Sequence, residues 1–154
     1  MPKRSLRPDP VDFKDFTFLG IVGKMPDYKM AYSLNKAAAL RWQRVDDLSV
    51  FSPEHSIQCV LFFYYDALFR IKYFLIKNIN ESGILLPGLK NVDYLLLVEG
   101  FTNHSAQEDL LNYLRSAHGV MAVLRISPET VKEAKYILED LEIHMIEHFN
   151  LTLQ

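Results

Sequence analysis

The sequence predicts a single α+β domain, in which a mainly antiparallel sheet of about five to six strands packs with three helices in two layers. Several β-prone segments follow one another with only short turns between them, and this favours antiparallel pairing because parallel pairs need long crossover connections. Three further segments have the periodicity of amphipathic helices. Hydrophobic residues make up 49% of the 154 residues, so the chain can bury a core without metal or disulfide support.

The first third of the chain predicts a strand, a helix and a short strand. Residues 16–22 are apolar and β-prone, and Gly20 and Gly23 mark the end of that segment. A proline–aspartate pair then opens a helix over about residues 26–42, where apolar residues recur at helical spacing. Residues 45–50 predict a short, weak strand.

The middle of the chain predicts the centre of the sheet. Residues 57–66 form a nearly continuous apolar run, which is typical of a strand buried on both faces. Residues 69–78 follow closely enough for a hairpin, and residues 78–83 form a turn. Residues 92–99 predict a further strand.

The last third predicts a helix, a strand and a long helix. Ser105 and Glu108 have the spacing of a capping box, which places the start of the first helix at Ser105. Residues 120–126 alternate between apolar and other side chains and predict the last strand. A serine, a proline and a glutamate then open a helix over residues 128–149.

The composition of the chain bears on its domain limits, its partners and its location. Residues 1–12 predict a flexible tail and residues 13–154 the domain. The formal net charge of −2 gives no strong field for nucleic acid or anionic lipid, so we expect neither partner. Cys59 is the only cysteine, and we expect a buried thiol. With no apolar run long enough for a leader or a membrane span, we expect a cytoplasmic protein.

The segment from His144 to His148 has the His-x-x-Glu-His pattern of inverted zinc proteases. The two histidines lie one helical turn apart, and Glu147 lies beside them as a candidate base. Such a protease also needs a third ligand far downstream, and we expect none here. We therefore expect no metal, no cofactor and no catalytic residue, and we assign the histidines to the negative end of a helix.

Two other segments suggest binding chemistry only in part. Residues 20–24 lie between a strand and a helix, as phosphate-binding loops do, but the required first glycine and the final hydroxyl residue are missing. We interpret them as a tight turn. Arg70, Lys72 and Lys77 alternate with Tyr73 and Phe74, and an exposed face of this kind would stack bases.

The middle of the chain contains the most distinctive motif, residues 86–94. It resembles the signature of a bacterial protein family, the IPExxxVDY family, which is named for Ile-Pro-Glu, three variable residues and Val-Asp-Tyr. Gly88 stands where that signature has glutamate. The matching positions are Leu86, as a conservative replacement, Pro87, Val92, Asp93 and Tyr94.

A second set of residues also resembles that family. It comprises Asp15-Phe16 to Gly23, Asp27-Tyr28, Ala31-Tyr32 and Leu34-Asn35-Lys36. The two patches frame roughly residues 15–100. The family is functionally uncharacterised, so the resemblance implies a family but no activity.

Asp93 and Tyr94 are the candidate ligand-binding residues. Asp93 lies between apolar neighbours, so a buried carboxylate there must be paired or hydrogen-bonded. Asp93 could cap the turn at residues 89–91, pair with a cation or line a pocket, and the structural role of holding that turn is favoured because aspartate commonly bonds turn amides. The leading hypothesis for function is a non-catalytic binding or scaffolding module. The alternative is a small-ligand sensor or enzyme with a pocket near both residues, and a third hypothesis is an RNA-associated protein.

Self-association is the further partner hypothesis. The C-terminal helix has an apolar row at spacings of three and four, and Ile137, Ile143 and Ile146 lie outside this row. A helix that is apolar on more than one side is usually covered on more than one side. We therefore expect a homodimer through this helix, while a helix packed wholly on its own domain stays open as the other arrangement.

Overall fold

The computed structural model describes residues 13–53, 55–100 and 103–149. Six strands form one sheet in the order β2-β3-β4-β7-β1-β8, and every neighbouring pair is antiparallel. Its strands are β1 (Phe16–Val22), β2 (Gln43–Phe51), β3 (Ser56–Asp66), β4 (Ile71–Lys77), β7 (Tyr94–Glu99) and β8 (Ala122–Ile126). A small two-stranded ribbon pairs β5 (Ile79–Asn80) with β6 (Gly83–Ile84), where the sequence predicted a turn.

Three α-helices cover the two faces of this sheet. They are α1 (Asp27–Ala38), α2 (His104–Arg115) and α3 (Ala134–Phe149). The core on one face combines side chains of α1 and α2 with Leu96 and Val98 of β7. The core on the opposite face combines side chains of α3 with Leu95 and Leu97 of the same strand.

The predicted α+β class, with one domain and an antiparallel six-stranded sheet, is confirmed. The layers differ from the prediction, because the helices lie on both faces and make three layers instead of two. The cause is β7, in which every side chain from Leu95 to Val98 is fully buried. A strand that is apolar on both sides requires a cover on both sides.

The helix ends differ from the predicted ones for local reasons. Ala39 has a left-handed backbone (φ 57°) that ends α1, and Asn35 then bonds both backbone groups of Trp42 through its side chain. The cap of α2 is Asn103, whose side chain accepts a hydrogen bond from the backbone of Ala106 at 2.7 Å. Ser105 is therefore already inside the helix.

The last helix begins later than the sequence predicted. Residues Pro128–Thr130 form one 3₁₀ turn, and Val131 then returns to an extended conformation. The α-helix starts only at Ala134. Ala134, Leu138, Leu141, Met145 and also Ile137 are buried against the protein's own sheet.

The two edges of the sheet differ in character. The edge strand β2 carries Asp46 and Asp47 at an irregularity in its register, and charges and bulges of this kind protect an edge from pairing with another chain. The other edge strand, β8, has five residues and one charged side chain, Arg125. Leu124 in its centre is 39% exposed.

Both ends of the sequence lie outside the described residues. The predicted tail, residues 1–12, lies outside the described residues, as do residues 150–154 at the end of the predicted domain. None of the helices in the described part combines the length and the apolar character that a bilayer crossing requires.

Candidate functional site

The signature segment, residues 86–94, is held in place by one buried side chain, that of Asn78. Its amide nitrogen donates hydrogen bonds to the carbonyl oxygens of Leu89 (3.0 Å) and Val92 (2.7 Å). Its amide oxygen accepts a hydrogen bond from the backbone N–H of Leu86 at 2.8 Å. Asn78 is fully buried, so these three bonds fix both ends of the turn that contains Pro87.

Asn78 is the functional-site residue that the sequence analysis missed. A single asparagine after an apolar strand resembles any turn residue. The signal that was present is its position, since Asn78 directly follows β4 and precedes a short ribbon. Only the tertiary structure brings it beside residues 86–92.

Asp93 holds a different turn from the one that the sequence suggested. Its carboxylate accepts a hydrogen bond from the backbone N–H of Gly23 at 2.7 Å and lies 3.0 Å from the ammonium nitrogen of Lys24. Its own backbone N–H donates to the carbonyl oxygen of Ile21. Asp93 therefore joins the start of β7 to the connection between β1 and α1.

This arrangement also explains residues 20–24. A bound phosphate at such a turn would use a backbone N–H and a lysine ammonium group. The side chain of Asp93 already engages both kinds of group, through Gly23 and Lys24. The carboxylate of Asp93 thus supplies the negative charge that a bound phosphate supplies in a phosphate-binding loop.

Tyr94 lies in the core on the side of α1. Its ring is 2% exposed, and its hydroxyl donates a hydrogen bond to the carbonyl oxygen of Met25 at 2.8 Å. Burial raises the pKa of this phenol well above its ordinary value, and the carboxylates of Asp27 and Asp93 raise it further. Tyr94 is therefore a neutral donor that fixes the start of α1.

A cleft of about 830 Å³ opens on the other side of the signature segment, and we call it the signature cleft. It lies between the signature segment, β8 with the turn that follows it, and the approach to α3. We call its buried apolar lining residues, Leu86 and Val92, the floor, and its exposed cations, Lys90, Arg125 and Lys132, the rim. The lining also contains the half-buried carboxylate of Glu133. The lining residues are His55, Leu86–Lys90, Val92, Leu124–Ser127 and Thr130–Glu133.

Gly88 stands on the wall of the signature cleft at the position of the signature glutamate. A Cβ atom added there would have no heavy atom within 4 Å, and the backbone of Gly88 is not in the left-handed region. A side chain at this position would therefore enter open space. Gly88 leaves the cleft wider than a larger residue would.

The two histidines near the end of α3 contact each other and β2. Their rings stack with centroids 4.2 Å apart, and the Nδ1 atom of His148 lies 3.0 Å from the carboxylate of Asp46. His144 is 95% buried, and its Nε2 atom has no hydrogen-bond partner among the described residues. Burial lowers the pKa of His144, and the neighbouring His148 lowers it further.

The described residues contain no group of three or more histidine, cysteine, aspartate or glutamate side chains arranged to hold a metal ion. His144 and His148 form a stacked pair near the end of α3. Cys59 is fully buried in the core beside α3, and this burial raises the pKa of its thiol to about 12.

The proposed stacking face of β4 is absent. Tyr73 and Phe74 are 6% and 2% exposed, because β4 lies in the middle of the sheet with helices over both faces. Lys72 is largely buried too and lies 3.9 Å from Glu99. This strand therefore does not present its aromatic rings to a nucleic acid, and that alternative for residues 70–77 is wrong.

Comparison of the chain with protein-family models and with curated proteins finds no match.

Proposed function

We propose that this domain is a non-catalytic binding module whose signature cleft takes an extended segment of a partner protein. The observation that carries the proposal is the position of the cleft. It lies directly beside β8, an edge strand that pairs with a strand on one side only within the described chain. An edge strand offers backbone hydrogen bonds, and an adjoining cleft offers pockets for side chains.

The cleft is preformed, which lowers the entropic cost of binding. Leu86 and Val92 are 1% and 0% exposed and are tied to the fold through Asn78. A Cβ atom on Gly20 would come within 3.0 Å of Val92 and Ile126, so these two side chains fill the space over that glycine. The floor of the cleft is a packed layer that needs no rearrangement.

Charge defines the kind of segment that fits. Lys90 at the rim has no carboxylate within ion-pair distance among the described residues. Arg125 already forms an ion pair with Glu108, so less of its positive charge is available to a bound segment. An extended segment with alternating apolar residues and a carboxylate near Lys90 would match the floor and the rim together.

The chemically capable side chains near the signature support binding over catalysis. Asp93 and Tyr94 are engaged in bonds that hold α1, and the thiol of Cys59 is buried with a raised pKa. The alternative, a small-ligand sensor or enzyme with a pocket near Asp93 and Tyr94, would require both side chains to leave these bonds.

We also propose membership of the family that residues 86–94 resemble. The structural use of Pro87, Val92, Asp93 and Tyr94 in one tied segment supports this assignment, since it gives a physical reason for the motif. The cytoplasmic location is part of the same proposal and rests on the buried, unpaired Cys59.

The test is a selection of linear peptides from a displayed random library on the full chain. We expect the selected peptides to alternate apolar residues and to contain Asp or Glu. Gly88→Glu should weaken their binding at least about tenfold, because it places bulk and negative charge in the cleft. Lys90→Glu should weaken it about two- to tenfold, as expected for a reversed rim charge.

Lys36→Glu is the matched control, because Lys36 is an exposed lysine on α1, away from the cleft lining. Thermal melting of each variant checks that the fold is retained. Selected peptides that bind Gly88→Glu and Lys90→Glu as tightly as the original chain would contradict the proposal, and so would a selection that yields no binder.

Self-association through α3 is a second proposal. Ile143 and Ile146 are 46% and 49% exposed on this helix, whereas its other apolar residues in the described core are buried. A second copy would cover this face in a two-fold dimer. Light scattering at rising concentration should show a dimer that Ile143→Glu dissociates, and a constant monomer mass would reject it.

A further inference from the structure

A second surface lies on α1, on the opposite face of the sheet from the signature cleft. Tyr28 and Tyr32 are 65% and 68% exposed, although large aromatic side chains usually bury most of their area. They are one helical turn apart and therefore project from the same side of α1. Both rings line a cleft of about 570 Å³, which we call the α1 cleft.

The walls of the α1 cleft are fixed by contacts to the rest of the fold. Ser33 donates a hydrogen bond from its hydroxyl to the carbonyl oxygen of His118 at 2.5 Å, which ties α1 to the turn after α2. Met25 is held by the hydroxyl of Tyr94. The tyrosine rings therefore stand exposed on a rigid base.

Two lysines share the α1 cleft with these rings. Lys29 and Lys36 line the α1 cleft, and neither has a carboxylate within ion-pair distance among the described residues. Lys24 lies two residues before α1, and its charge is already met by Asp93. The chain as a whole is mildly acidic, but this surface combines aromatic faces with two unneutralised lysines.

We propose that the α1 cleft binds a nucleotide unit, with its base stacked on Tyr28 or Tyr32 and its phosphate near Lys29 or Lys36. Every base has a flat π face that stacks on an aromatic ring, and lysine meets the phosphate charge. The nucleotide can be free or part of a single strand. This proposal is independent of the signature cleft.

Fluorescence polarisation with fluorescein-labelled oligouridylate and oligothymidylate tests the single-strand source. Competition by AMP tests the free nucleotide. Binding of the oligomers that AMP displaces only weakly assigns a single strand, whereas equal binding of AMP assigns a free nucleotide. Absence of binding of all three probes at low salt overturns the proposal.

The variants identify the surface. Tyr28→Ala and Tyr32→Ala should each weaken binding by about 5- to 150-fold if the ring stacks with a base, and at least one of them must do so. Lys29→Glu with Lys36→Glu should remove most binding. If both lysines meet phosphates, the logarithm of affinity should fall against the logarithm of salt with a slope of about −1.4.

The controls separate this surface from the others. Tyr113→Ala removes an exposed tyrosine on α2, and Lys90→Glu reverses a lysine of the signature cleft. Both variants should bind the probes like the original chain. Equal loss in Tyr113→Ala, or no loss in a folded Tyr28→Ala, Tyr32→Ala double variant, would overturn the assignment.

Discussion

Replacing Asn78 by alanine removes the side chain that ties the signature segment to β4. Two buried backbone groups lose their partner, the carbonyl oxygen of Val92 and the N–H of Leu86. The carbonyl oxygen of Leu89 loses one of two hydrogen bonds, since it also accepts from the N–H of Val92. Asn78 is fully buried, so bulk water does not reach its bonds to Val92 and Leu86 unless the segment opens.

The magnitude follows from the number of orphaned groups. A buried polar group without a partner costs about 1–3 kcal/mol. The two costs do not add fully, because the segment can shift and one water molecule can enter the vacated space. We expect Asn78→Ala to lower the free energy of unfolding by about 2–4 kcal/mol, which is a large part of the ~5–15 kcal/mol of a typical domain.

Urea unfolding measures this change, and Asn80→Ala is the matched control. Asn80 also bonds two backbone groups, the N–H of Val60 and the carbonyl of Lys77, but it is only half-buried. Water can replace its bonds, so Asn80→Ala should cost about 1 kcal/mol or less. Amide hydrogen exchange at Leu86 should speed up in Asn78→Ala only.

Asn78→Asp gives a second test with a pH signature. Its carboxyl can still accept from Leu86, but it turns an oxygen toward two carbonyl oxygens unless it is protonated. Burial should raise the folded-state pKa, so stability should fall as the pH rises above the ordinary aspartate value. An Asn78→Ala variant within about 1 kcal/mol of the original chain, or no less stable than Asn80→Ala, would refute the account of this segment.

Three further predictions concern the core, Asp93 and His144. Phe62 is 7% exposed in the core of the α1 face, and Phe62→Ala should cost about 3–5 kcal/mol in urea melts; a cost under about 1 kcal/mol would contradict its packing. Asp93→Asn should cost about 1–2 kcal/mol, since it keeps an acceptor for Gly23 but loses the charge beside Lys24, and an equally stable variant with lost peptide binding would move Asp93 into the binding site. The pKa of His144 is lowered by burial, so the folded state binds fewer protons than the unfolded state and stability should fall as the pH drops below about 6.5. His144→Leu should flatten that fall in melts between about pH 7 and 5, and an unchanged slope would contradict this cause.

Much of the sheet was predictable because the apolar content of each segment indicates how much of the strand is buried. The apolar run at residues 57–66 predicts a strand buried on both faces, and β3 does lie inside the sheet, but its first half alternates between exposed and buried side chains. It is β7, predicted only as a further strand, that is fully buried on both faces. The apolar residues of β7 imply a cover on both faces, whereas the predicted two-layer arrangement places the helices on one side. The assignment of helices to faces depends on strand order, which local patterns do not encode.

Helix boundaries were less predictable because competing signals lie a few residues apart. Ser105 has capping-box spacing, yet Asn103 is the cap. A serine and Pro128 do open a turn, but the extended Val131 interrupts it before α3. Local hydrogen bonds of comparable strength decide such ends.

The candidate site was predictable only in part. A structural role for Asp93 followed from a carboxylate among apolar residues, and the structure places it on Gly23 and Lys24. Those partners lie about 70 residues earlier and meet Asp93 only because β1 pairs with β7. Asn78 and the signature cleft depend on the same long-range pairing, so no local pattern indicated them.

The central claim is that a partner segment binds along β8 in the signature cleft. Amide hydrogen exchange of the full chain, with and without a selected peptide, tests it most directly. We predict that alternate amides of Ala122–Ile126 become protected on binding, because an added strand would accept their outward hydrogen bonds. Protection at α1 or α3 with unchanged exchange in β8 would contradict the claim.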